Sequence, residues 1–332
     1  LTVFKAVARY LPDPFVLFLF ATVGAASLFP AYGIAGDVLG VVATAAIILL
    51  FFLHGAKLSR ENVLFAVGHW RLHVTILSIT FIVFPLVGLL LSGLLPRLLD
   101  TDLWVGVLFL CALPSTVQSS IAFTSIARGN VGGTIASAAA SNLLGIGLTP
   151  LIINWLTRSH AALSLSGVSD ILFQMLVPFV AGHLCRPLIG PWAEKRKALL
   201  AITDRGTIIL AVYSAFSAAV IGKIWQTVHV ETLGLLVIVC AALLGILLTV
   251  SLLLSRALKF PRADEISIVF CGSKKSLVSG VPMARVLFAG PHVGAVLLPL
   301  MIFHQIQLIV CAGLARRYAA SPAAPAMPRA EA

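Results

Sequence analysis

The sequence predicts an all-α polytopic membrane protein with ten transmembrane helices, and three observations predict it. Of the 332 residues, 60% are hydrophobic and 11% charged, with a mean hydropathy of +1.06; soluble domains carry about 25% charged residues. The apolar residues fall into continuous runs near the ~20 residues that cross a hydrocarbon core, without the alternation of a β-barrel. The 23 Lys and Arg residues sit mostly in alternate connections between those runs.

The first run, 13–30, lacks a small-residue cleavage site and reads as a span rather than a signal peptide. The second, 34–56, ends at His54 and Lys57, which are expected to snorkel to the interface. The third is 72–95. The fourth, 103–127, is interrupted by Pro114-Ser115-Thr116-Val117-Gln118-Ser119-Ser120, where the proline removes a backbone donor and disturbs the turn before it. The fifth, 131–156, carries Thr134, Ser137 and Ser141 at spacings that share one helical face, with Asn142 beside them. The sixth is 166–190, the seventh 205–224 and the eighth 231–255. The ninth, 265–288, is broken by Gly272-Ser273-Lys274-Lys275-Ser276. The tenth, 292–315, contains His304, Gln305 and Gln307. The Ala/Pro-rich tail, 318–332, reads as disordered and cytoplasmic.

Threading these runs through a bilayer leaves 17 basic residues on the side of both termini, 4 on the other, and Lys274 and Lys275 within the membrane. The bias puts both termini in the cytoplasm. It also explains the net charge of +11 without a nucleic-acid partner, because the basic residues form no patch. Five helices per half force the halves into opposite orientations, the geometry of an inverted repeat over about 1–160 and 161–317. Divided at the basic connection, 1–190 holds helices 1–5 with the first helix of the second repeat, and 191–317 the remaining helices 7–10. The fourth and ninth runs then correspond. Breaks at matching positions point to a binding site at the membrane midplane, since irregular backbone at that depth is tolerated only beside a cavity or within protein.

A charge at bilayer depth costs at least ~2.5–3.5 kcal/mol, so Lys274 and Lys275 mark a polar environment. No Asp or Glu lies well inside a predicted span, so the lysines are expected to meet helix-terminal carbonyls, an anionic ligand or water. Their role reads either as ligand binding or as a structural cation between the broken helices. The candidate substrate- or ion-binding set is Pro114, Ser115, Gln118, Ser119, Ser120, Thr134, Ser137, Ser141, Asn142, Ser273, Lys274, Lys275, Ser276, His304 and Gln305. Close packing through small residues is the alternative for the fifth run, and hydrogen-bonded packing the alternative for His304. The five cysteines, Cys111, Cys185, Cys240, Cys271 and Cys311, lie in apolar runs without metal-ligand spacing. No HExxH, GxSxG or P-loop suggests an enzyme.

Pro114 to Ser120, the run Ala127-Arg128-Gly129-Asn130-Val131, Leu148-Thr149-Pro150, and Gly272 to Leu277 together resemble the bile acid:sodium symporter superfamily. The likeness covers nearly the whole chain and is strongest to the branch typified by vertebrate solute carrier family 10 member 7 and its bacterial relatives. The resemblance implies a panel domain and a core domain, with helices 4 and 9 unwound and crossing in the core. It implies secondary transport of a small or amphipathic organic anion across a bacterial inner membrane by alternating access, with no cofactor beyond a coupling ion, H+ or Na+. Family sodium sites use a Ser-Asn pair in the fourth helix, fifth-helix hydroxyls, and a Glu with nearby Gln in the ninth. Here Ser119-Ser120 stand at the first position, Thr134 and Ser137 at the second, and Phe270 or Cys271 where the Glu belongs. Lys274 and Lys275 replace the amide ligands, so the ammonium groups are expected to occupy the space of an absent sodium, and sodium coupling is in doubt. A cation/proton antiporter and a regulatory membrane protein that moves no solute are the alternatives.

Overall fold

Each of the ten apolar runs contains helix, and among the described residues there is no strand. The computed structural model describes residues 14–57, 69–157, 172–288, 290 and 292–321. Lys5, Arg9, Arg60, Arg158 and Arg329, the start of the sixth run at 166–171, and the tail from 322 lie outside them.

Helix α1 (Pro14–Leu28) starts on a proline, whose fixed φ and missing N–H suit a helix start. Then come α2 (Ile34–Lys57) and α3 (Trp70–Leu94). Within α3 the register widens over Ile79–Val83: the Phe84 N–H bonds the Ile79 carbonyl five residues back, and Pro85 follows with no N–H to give. Helices α4 (Thr101–Ala112) and α5 (Gln118–Ile126) are the two halves of the fourth run, and α6 (Val131–Thr157) is the fifth. The sixth run supplies α7 (Phe173–Leu184) and the first half of α8 (Arg186–Lys195). Next come α9 (Lys197–Ile221), a short α10 (Ile224–Thr227) and α11 (Val230–Ala257). The ninth run divides into α12 (Arg262–Gly272) and α13 (Leu277–Leu287), and α14 (Val293–Ala320) closes the fold.

Among the described residues, six helices are long and apolar enough to cross a membrane: α2, α3, α6, α9, α11 and α14. The other four runs form shorter helices or interrupted pairs. Ile82, Leu86, Leu90, Leu151 and Ile238 are exposed within their helices, as a lipid-facing surface requires. Two sequence boundaries shift. The seventh helix begins at Lys197 rather than 205, so Asp204 and Arg205 sit inside a helix and not in a connection. The last helix runs to Ala320, through the first three residues expected in the tail. Tyr318 is held there, its hydroxyl donating to Glu265 at 3.1 Å and its ring lying under the Arg262 guanidinium at 5.5 Å.

Helices α1, α2, α7, α8 and α9 pack as one group, and α3–α6 with α11–α14 as another. The groups meet where α9 lies on α13 and α14, and where the start of α7 touches α6. In the first group α2 and α7 cross backbone to backbone. A Cβ on Gly55 would lie 1.9 Å from the Phe179 carbonyl oxygen, and one on Gly182 would lie 1.9 Å from that of Phe52. Only glycine at both positions permits this approach.

Candidate functional site

Helix breaks strand backbone carbonyls, and buried carbonyls must find donors. At the end of α4, Pro114 brings no N–H. The Leu110 carbonyl takes the Leu113 N–H at 3.3 Å, and that of Ala112 takes the Thr149 hydroxyl at 2.9 Å. Pro114 O accepts from the Ser276 N–H at 2.9 Å, and Ser115 O from Asn142 Nδ2 at 2.8 Å. The Ser115 N–H, the ordinary helical donor to Cys111, turns instead to Ser141 Oγ at 3.0 Å. Cys111 O and Leu113 O remain, and Lys275 Nζ serves both, at 2.8 and 2.7 Å.

The third donor of Lys275 reaches Thr80 O at 2.8 Å. That carbonyl is open because the widened turn of α3 sends the Phe84 N–H to Ile79, while Pro85 has none. One ammonium thus satisfies three carbonyls left open at two places, the widened turn of α3 and the break after α4. Three acceptors match the three N–H bonds of the charged form, and a cation at the C-terminal end of α4 also meets the favourable pole of the helix dipole. The Lys275 backbone is held by Gln307, which accepts its N–H and donates to its carbonyl, both at 3.0 Å. Gln307 Nε2 also donates to His304 Nδ1 at 2.8 Å. Lys274 reaches across to Ser119 O at 2.9 Å, with its Nζ 4.0 Å from the Phe123 ring centroid. Both lysines are wholly buried.

Further bonds tie the breaks together. Ser115 Oγ donates to Cys271 O at 2.5 Å, and Ser279 Oγ to Asn142 Oδ1 at 2.7 Å. Ser273 Oγ closes back on Val269 O at 2.5 Å. Ser276 caps α13 by accepting the Ser279 N–H at 3.1 Å, whereas α5 starts with no side-chain cap.

Beside this crossing lies a cavity of about 700 Å3 between the two helix groups, within the range of small-molecule sites. One wall presents Thr116, Gln118, Ser119, Asn142, Ser276, Ser279 and His304. The opposite wall presents Phe15, Phe51, Phe179 and Ile208 with four ionisable groups, His54 and Lys57 of α2 and Asp204 and Arg205 of α9. Lys57 Nζ stands 3.0 Å from Asp204 Oδ2, and His54 Nε2 stands 3.5 Å from Oδ1. Apolar side chains, Leu143, Ile146 and Met283 among them, complete the lining.

The structure brings Gln118, Ser119, Asn142, Ser276 and His304 of the sequence-derived set to the cavity. The others do not line it. Pro114 packs against Gly145, Ser115 and Ser141 join the breaks, and Ser273 closes its own helix end. Thr134 Oγ1 donates to Thr124 Oγ1 at 3.2 Å, and Ser137 pairs with His73 at 2.7 Å. The buried Ser120 hydroxyl has no partner among the described residues, and Gln305 is half-buried away from the site. Lys274 and Lys275 bind carbonyls, the first environment expected for them, and do not touch the cavity. Sequence reasoning missed the ionisable wall, because hydropathy leaves Asp204 and Arg205 in a connection and Lys57 at the interface. The available signal was an acid-base pair at 204–205 on the same side of the membrane as His54 and Lys57.

The sequence model of the SBF-like CPA transporter family matches residues 13–320. An uncharacterized protein of Pseudomonas aeruginosa is 51% identical over 313 residues, 94% of each chain. Escherichia coli YfeH, whose name classes it provisionally as a symporter, is 52% identical over 307 residues, 92% of each chain. Sodium/bile acid cotransporter 7 of Danio rerio is 26% identical over 311 residues, 92% of this chain and 93% of that one.

Proposed function

Because the chain belongs to the SBF-like CPA transporter family, we propose that it is a secondary transporter of a small or amphipathic organic anion, working by alternating access in a bacterial inner membrane. The observation that carries this reading is the crossing of two broken helices, braced by a buried ammonium, beside a cavity that separates two helix groups. Each half of the chain gives its first two runs to one group and its last three to the other, which is what inverted repeats forming a panel and a core would do. The half-helices α5 and α13 both begin at the cavity wall, and their N-terminal dipoles favour an anion there.

The same geometry supports a reading of the coupling ion. A metal cation at the crossing would need the carbonyl oxygens of Cys111, Leu113 and Thr80, and Lys275 Nζ already holds all three. A second cation within ~4 Å of that ammonium would be repelled by ~4 kcal/mol at an effective dielectric near 20. Lys275 is therefore a tethered replacement for sodium, and transport is coupled to protons or to nothing. Purified protein in liposomes should take up its anion at the same rate with sodium or with choline outside. Strong sodium stimulation with Lys275 intact would overturn this reading, and proton release on adding sodium or potassium would replace it with cation/proton antiport.

A further inference from the structure

Two walls face the cavity, and the buried lysines belong to neither. Lys274 and Lys275 have no exposed surface, and their ammonium groups are committed to backbone carbonyls. An anion in the cavity cannot touch them without dismantling the crossing. The cations it can touch stand on the other wall, where Lys57 and Arg205 outnumber Asp204, the one carboxylate among the described lining residues.

We infer that Lys57 and Arg205 form the binding group for the solute's anion, and that Asp204 holds that place while the cavity is empty. This rests on the transport reading and names the residues that serve it. The carboxylate of Asp204 sits 3.0 Å from Lys57 Nζ, the position that a carboxylate or sulfonate oxygen of a ligand would take. The pair is reachable: the Lys57 side chain is 32% exposed and that of Asp204 is 14%. Partly exposed ion pairs are weak, so an incoming oxyanion displaces Asp204 at small cost. The displaced carboxylate keeps His54, whose Nε2 is already 3.5 Å away. Phe51, Phe179 and Ile208 share this wall with the charged groups and offer an apolar surface beside them. The fitting ligand is thus a monoanionic carboxylate or sulfonate on an apolar body.

The test uses the full chain in detergent, with binding of naphthalene-2-sulfonate and decanoate read by calorimetry and thermal shift, and neutral naphthalene-2-sulfonamide as control. The wild type should bind at least one anion and not the sulfonamide. Lys57→Gln should weaken binding roughly tenfold, the worth of one charged hydrogen bond. Asp204→Asn removes the competitor and should tighten binding about fivefold. A brace between α2 and α9 would respond alike to loss of either partner, so opposite signs mark displacement. If Lys57→Gln does not fold, Arg205→Gln must show the loss. Shifts of the same sign, no shift in either variant, or no binding of either anion to the wild type would overturn the inference. Same-sign shifts alongside intact counterflow would leave the transport reading standing, whereas no counterflow of any solute would sink that reading instead.

Discussion

Lys275 has three N–H bonds, and three backbone carbonyls from two helices receive them at 2.8, 2.8 and 2.7 Å. Lys274 has one carbonyl and the ring faces of Phe123 and Phe270. The two neighbours therefore differ in what their loss leaves behind. Lys275→Met would orphan three buried acceptors at ~1–3 kcal/mol each, more than relief from burying a charge returns. Lys274→Met would remove one donor and its cation–π contacts. In detergent, Lys275→Met should lower the melting temperature far more than Lys274→Met. Equal losses would contradict the three-carbonyl arrangement. Lys275→Arg should not rescue, because a planar guanidinium cannot present the same converging donors in a closed pocket.

At the scale of elements, Lys275 depends on a turn of α3 far away in sequence. Pro85→Ala would restore an N–H and let α3 regain its ordinary register, giving Thr80 O the Phe84 N–H in place of Lys275. A double-mutant cycle of Pro85→Ala and Lys275→Met, read by unfolding in SDS, should show coupling of about 1 kcal/mol, and additive losses would deny the link. This dependence also marks how far the sequence could be read. Pro114 and the charged Gly272–Ser276 stretch announced both breaks, because a proline and a charge pair at bilayer depth each conflict with an unbroken apolar helix. The register of α3 was hidden, since a widened turn leaves no mark in hydropathy. Thr134, Ser137 and Ser141 do share a buried face. Yet small hydroxyls serve protein contacts and cavities equally well, and of these four polar residues only Asn142, one position on, lines the site. Asp204 was missed because helix starts are the least legible boundary, and the polar first turns of α9 look like connection until the helix is seen to begin at Lys197.

For the whole molecule, the cavity's charged end is built from the close of α2 and the early turns of α9, both on the side that the basic residues assign to the cytoplasm. Gln118, exposed at the cavity wall, gives a direct check. A membrane-impermeant thiol reagent should label Gln118→Cys rapidly in inverted membrane vesicles and slowly in right-side-out ones, above the background from the half-buried Cys185. The reverse pattern would invert the topology. A further consequence comes from the lysine at the crossing. Carriers that borrow a metal ion from solution reset badly when vacant, and that reluctance prevents slippage. If the chain transports as proposed, a cation attached by four methylenes never departs, so the unladen protein would be as complete as the laden one and free to turn over alone. Such a machine would equilibrate its cargo readily in both directions, and steep accumulation would have to draw on voltage or acidity rather than on a salt gradient.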